Sequence, residues 1–117
     1  MLDKRFAEEF AAAWFAAWNA HDLDRVLAHY ADDFTMRSPI IVRLAGEPSG
    51  TLRGKKAVGS YWAAALSRFP DLRFEPVAVF AGVDSVVVHY QSPAGPAAEA
   101  LRFGSHGLVV DASAHYA

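Results

Sequence analysis

Residues 83–116 read VDSVVVHYQSPAGPAAEALRFGSHGLVVDASAHY, and this stretch decides the fold. Three runs in it alternate in side-chain character: 83–91, 97–103 and 108–116. Ser92-Pro93-Ala94-Gly95-Pro96 separates the first two, and Gly104-Ser105-His106-Gly107 separates the last two. Short alternating runs divided by turn residues predict strands of an antiparallel meander. One more strand precedes them. Leu72, Phe74, Ala78 and Phe80 alternate with Arg73 and Glu75, and Gly82 marks the turn that follows. Val86-Val87-Val88 is apolar on both faces. The helices can cover only one face, so the outer one needs its own cover, and a homodimer through the outer sheet face is the simplest.

Upstream of residue 71 the period changes from two to about four. Leu2, Phe6, Phe10, Trp14 and Trp18 form one stripe on a helix over about residues 3–19, with Asp3 as N-cap and Asn19 as stop. Asp22 caps a short second helix whose apolar positions are Leu23, Val26, Leu27 and Tyr30. Phe34 to Arg37 reads as a short strand ended by Ser38-Pro39, and Asp32-Asp33 as a helix-end turn. Residues 39–54 read as an irregular loop or loose hairpin around Ile40-Ile41-Val42, of a length often functional, as in a lid. A third helix is expected from about Lys55 to Phe69, ended by Pro70. Helices followed by a meander give an α+β order.

The 117 residues predict one domain over 1–117, and 53% apolar with 21% charged residues is a globular balance. The net charge of −2 is interspersed, without a basic stripe, so no nucleic-acid partner is expected. No cysteine is present, which removes thiol catalysis and cysteine-ligated zinc. Glu8 and Glu9 interrupt the apolar stretch that a signal peptide needs. No apolar run reaches the ~20 residues of a membrane span. Together these predict a cytoplasmic protein with no membrane partner.

In this order, Trp14-x3-Trp18-Asn19-Ala20-His21-Asp22, Tyr30-Ala31-Asp32-Asp33-Phe34, Ser38-Pro39 and Gly54-Lys55-Lys56-Ala57-Val58 resemble the SnoaL-like and ketosteroid-isomerase-like branch of the nuclear transport factor 2-like superfamily. The end agrees, with Glu99-x-Leu101-x-Phe103-x3-Gly107-x-Val109 and then Ala114-His115-Tyr116. The resemblance implies a cone: a curved antiparallel sheet wrapped around three N-terminal helices, a cystatin-like α+β barrel, enclosing an apolar pocket. One such fold hosts many functions. Ketosteroid isomerase uses an aspartate base, a tyrosine donor and a protonated carboxylic acid. By resemblance the base position is Ser38, the tyrosine position Trp14 and the acid position Glu99. One role of the three survives, which argues against that particular reaction.

Glu99 is the informative residue. It alternates with Ala97, Leu101 and Phe103, on the side that by resemblance faces the pocket. Burial disfavours a charged carboxylate and so predicts a raised pKa, suited to a general acid or a neutral donor. The plainer alternatives are a partner such as Arg102 of a neighbouring subunit, or solvent at the pocket mouth. Tyr30 is the expected catalytic companion of Glu99. Tyr61, Trp62, Tyr90 and Tyr116 resemble pocket-lining positions, as do Trp14, Trp18, Ser38 and Val88; ordinary core packing is the competing reading for each. No two of the five histidines hold metal-ligand spacing, and His89 and His115 alternate away from Tyr90 and Tyr116, so neither a metal nor a cofactor is expected. Two readings remain. One is an acid–base enzyme (isomerase, dehydratase, cyclase or hydrolase type) acting on an apolar small molecule. The other is a non-catalytic ligand-binding or dimerisation module of the same fold.

Overall fold

A computed structural model describes residues 1–117. The first helix, α1 (Lys4–Asn19), begins where the Asp3 carboxylate accepts the Phe6 N–H at 2.7 Å. Its inward face carries Phe10, Trp14, Phe15 and Trp18, all buried. Asn19 ends the helix in an unforeseen way. Its side chain donates to the Phe74 carbonyl at 3.0 Å and accepts the Phe74 N–H at 2.8 Å, clamping α1 to the chain that enters the sheet. The left-handed residue lies two positions on, at His21 with φ 56°. The His21 Nε2 donates to the Leu72 carbonyl at 2.7 Å, a contact that holds this uncommon backbone in place.

Helix α2 (Leu23–Leu27) is capped by Asp22, as expected, but it stops before Tyr30. Tyr30 instead opens strand β1 (Tyr30–Arg37), drawn into the sheet by pairing with Val109. Asp32-Asp33 therefore lies in a strand and not in a turn. The ladder is irregular between Tyr30 and Thr35, and both carboxylates reach the exposed edge near Lys55 and Arg53.

The expected loop over 39–54 contains two elements. Ser38 caps α3 (Pro39–Leu44) by accepting the Ile40 N–H at 3.2 Å, and Pro39 sits in the first turn, where its missing donor costs nothing. The chain then turns back as β2 (Thr51–Arg53), antiparallel to β1. Gly50 makes this return possible: φ is 67°, and a Cβ there would stand 3.2 Å from the Ser38 carbonyl oxygen. Helix α4 (Lys55–Arg68) follows and buries Val58, Gly59 and Trp62.

The meander is β3 (Glu75–Ala81), β4 (Ser85–Ser92), β5 (Gly95–Phe103) and β6 (Val109–Tyr116). The full sheet runs β2-β1-β6-β5-β4-β3, curved and unclosed. The α+β class and the cone of sheet around helices stand as the resemblance implies. Three details are corrected. There are four helices, since α3 is added. The sheet is not wholly antiparallel, because β1 and β6 run parallel. It also ends in two free edges, β2 and β3, and does not close as a barrel.

The inner face is built by register. Val86, Val88 and Tyr90 of β4 lie opposite Leu101, Glu99 and Ala97 of β5, and all six are buried. A bulge between Pro76 and Ala78 shifts the alternation of β3. Phe80, expected inward with Phe74, therefore faces out and is 57% exposed. The outer face also carries Arg37, bonded to Asp111 at 2.7 Å, with Arg102 against the same carboxylate at 3.9 Å. Buried aromatic rings fill the space between α1, α4 and the sheet: Trp14 stacks on Phe74, and Trp18 meets Trp62 edge-on at 5.1 Å. No helix is long and apolar enough to cross a membrane.

Candidate functional site

A cavity of about 490 Å³ lies between α3, α4 and the inner face of the sheet. Each element contributes by its own period. Helix α4 supplies Tyr61, Trp62, Ala65, Arg68 and, at its end, Phe69. Helix α3 supplies Ile40, Arg43 and Leu44, with Ser38 at its cap. Glu99, Tyr90 and Tyr116 come from the sheet, and the β4–β5 turn at Pro93 and Ala94 forms part of the rim. Trp18 and Phe74 complete the floor beside the α1 clamp.

Glu99 is held there by pairing on both sides, with Val88 across one ladder and Ala114 across the other. Its side chain and that of Arg102 fall on opposite faces, and Arg102 is occupied with Asp111. Glu99 is 5% exposed as a residue, and its Oε2 has no hydrogen-bond partner. Burial pushes its pKa up from the usual 4.5 to about 7, and the nearby Tyr90 hydroxyl only partly opposes that shift. Near neutrality the group is thus divided between acid and base forms. The Trp18 indole N–H is a second buried polar group without a partner. An unpaired buried donor or acceptor is costly.

Three phenols, those of Tyr61, Tyr90 and Tyr116, line the cavity with the acid. Burial pushes Tyr61 up to about 12, and it raises Tyr90, Tyr116 and Tyr30 as well, so all stay protonated. In Tyr61 and Tyr116 the Ser38 hydroxyl and the Arg43 guanidinium pull the other way. Ser38, Tyr61, Tyr116 and Arg43 all line the same cavity.

Seven of the residues singled out in the sequence line the cavity: Glu99 with Trp18, Ser38, Tyr61, Trp62, Tyr90 and Tyr116. Trp14, Tyr30 and Val88 do not. The Trp14 indole donates to the Tyr30 hydroxyl at 2.9 Å, and both rings are fully buried in the core behind the wall. Val88 is covered by its neighbours. Tyr90 thus stands where Tyr30 was expected, beside the acid. The sequence reading missed Arg43 and Leu44 because α3 was taken for a loop. Ala65 and Arg68 were within reach, since they continue the Tyr61 face of α4 at helical spacing. No three His, Cys, Asp or Glu side chains group as metal ligands.

The fold defines a class: an α+β cone with an apolar cavity set against its curved sheet, the nuclear transport factor 2-like superfamily. The SnoaL-like domain family matches residues 11–112, and the chain belongs to that family. A crystal structure of a SnoaL-like protein of unknown function from Burkholderia thailandensis is 56% identical, with a TM-score of 0.95, covering 98% of this chain and 97% of its own. More distant structures share the fold alone. TerC, co-crystallised with polyporic acid, has 16% identity and a TM-score of 0.77 over 96% of this chain and 92% of its own. A protein of ketosteroid isomerase-like fold from Catenulispora acidiphila, in complex with trimethylamine, has 18% identity and a TM-score of 0.72 over 93% and 85%. No curated protein matches the chain.

Proposed function

We propose that the cavity binds a small molecule with a largely apolar body, and that Glu99 acts on it as a general acid or neutral hydrogen-bond donor. One observation carries this reading: a buried carboxyl with an unpartnered oxygen in the wall of an apolar cavity. Tyr90 is the hydroxyl that assists it, and Tyr30, locked to Trp14, holds the wall from behind. The reaction class is acid–base chemistry of isomerase, dehydratase, cyclase or hydrolase type. A donor with a pKa near the working pH is suited to it.

A second reading has its own support. Glu99 is the one carboxyl in the lining, no histidine joins it, and Ser38 spends its oxygen on capping α3. A ligand-binding module without turnover needs nothing more. In either reading the protein works in the cytoplasm, as two chains joined across the outer sheet face.

The test is a thermal-shift and turnover screen of steroids, terpenoids and aromatic polyketides against wild type and Glu99→Gln. Turnover by wild type that the variant loses supports the enzyme. Equal stabilisation of both without product supports the module. Silence from every compound class in both proteins rejects a ligand role for the cavity.

A further inference from the structure

We propose that the ligand of this cavity is an amphiphilic acid: an apolar ring body carrying one anionic oxygen group, which Arg43 grips at the rim. The inference rests on the reading of the cavity as a ligand site and adds the charge of what fills it.

Three charged side chains line the cavity: Arg43, Arg68 and Glu99. Elsewhere in the molecule most arginines find a carboxylate within 4 Å, as Arg37, Arg53, Arg73 and Arg102 do. Arg43 and Arg68 have no such partner. An exposed arginine without a partner means little by itself. Arg43 differs because its charge is felt inside the cavity, at the hydroxyls of both Tyr61 and Tyr116. Arg68 instead lies over the Phe69 ring, 5.9 Å from its centroid.

A guanidinium and two phenolic side chains, Arg43, Tyr61 and Tyr116, line this one cavity. Every one of them donates, and the guanidinium cannot lose its proton. Such a set is matched by a carboxylate, an enolate, an acidic phenol or a sulfonate, through charge-assisted hydrogen bonds. The rest of the lining is apolar, from Met36, Ile40 and Leu44 to Leu72 and Phe74. That apolar part of the lining suits the ring body.

Glu99 fits the same picture. Its negative charge, when present, opposes ionisation of Tyr61 and Tyr116, so it acts on the same two side chains as Arg43. A bound anion would act on Glu99 in turn and favour its protonated form. The anion at the rim and the acid within thus support one another.

A matched pair of fluorescent probes tests the charge. Anilinonaphthalene sulfonate is a ring body with an anion; phenylnaphthylamine is the same skeleton without it. Both are titrated into wild type, Arg43→Gln, Arg43→Lys and Ala65→Phe. Loss of one charge-assisted contact corresponds to about tenfold in affinity. Wild type should bind the sulfonate about tenfold more tightly than the neutral probe, and Arg43→Gln should remove that preference without weakening the neutral probe. Arg43→Lys should keep part of it. Ala65→Phe narrows the cavity and should weaken both, which places the probes inside. Equal binding of the two probes, or a preference that survives Arg43→Gln, overturns the inference and leaves the cavity as a ligand site. Failure of both probes to bind, or indifference to Ala65→Phe, overturns the inference and removes its support from the cavity as well.

Discussion

The carboxyl of Glu99 links the stability of this chain to pH. It titrates at about 7 in the folded protein and near its usual 4.5 once unfolded. Between those values the folded chain keeps a proton that the unfolded chain has released. The group's contribution is thus fully present below 4.5 and is lost as pH rises through 7. A shift of this size corresponds to ~3 kcal/mol. His29 works in the opposite sense: burial and then Arg25 lower its pKa, so it costs stability as pH falls. Glu99→Gln removes the first effect and keeps the second. Denaturant titrations should therefore show the variant gaining up to ~3 kcal/mol on wild type between about pH 5 and pH 8. A difference that stays flat across that range would mean the carboxyl is solvated. The burial of Glu99 was legible, because Ala97, Leu101 and Phe103 alternate with it. The Trp14–Tyr30 bond was not. It joins residues sixteen apart, and it depends on Tyr30 being the first residue of a strand and not the last turn of a helix.

Elements with strong periods were read well, and the short helix α3 was not. Helices α1 and α4 lie within a residue of their expected bounds because their stripes run for several turns. Helix α3 has six residues, too few for a stripe, and its β-branched Ile40-Ile41-Val42 favours extended backbone. What makes it a helix is Ser38 and Pro39 at its start. Strand β3 shows the reverse failure: its alternation was visible, but the bulge between Pro76 and Ala78 moved Phe80 to the other face. The two-bond clamp of Asn19 on Phe74 belongs to this scale too. It fixes where α1 ends relative to β3, and so the position of the cavity floor formed by Trp18 and Phe74. Asn19→Ala should cost about 2 kcal/mol, at roughly 1 kcal/mol for each part-buried bond. Thermal or denaturant unfolding measures it; a loss under about 0.5 kcal/mol would show that water replaces the clamp.

At the scale of the molecule, order along the chain predicted the layers but not the sheet. Nothing local marks β6 as the strand that lies between β1 and β5. The outer face that results exposes Phe80 and Val77 near Val87, a patch suited to a second copy. Sedimentation velocity of wild type should show a dimer, and Phe80→Asp should shift it to monomer without loss of helical or strand content. A monomeric wild type would refute that assembly. The β1–β6 pairing has a further consequence, for synthesis. Arg37 and Asp111 are 74 residues apart in sequence and bonded in the sheet. Contacts that distant form late and slow the search for the native state. On a ribosome β1 would leave the exit tunnel long before β6, the second of its neighbours, is made. The edge of β1 that β6 covers would stay open to chaperones until nearly the whole chain has been translated.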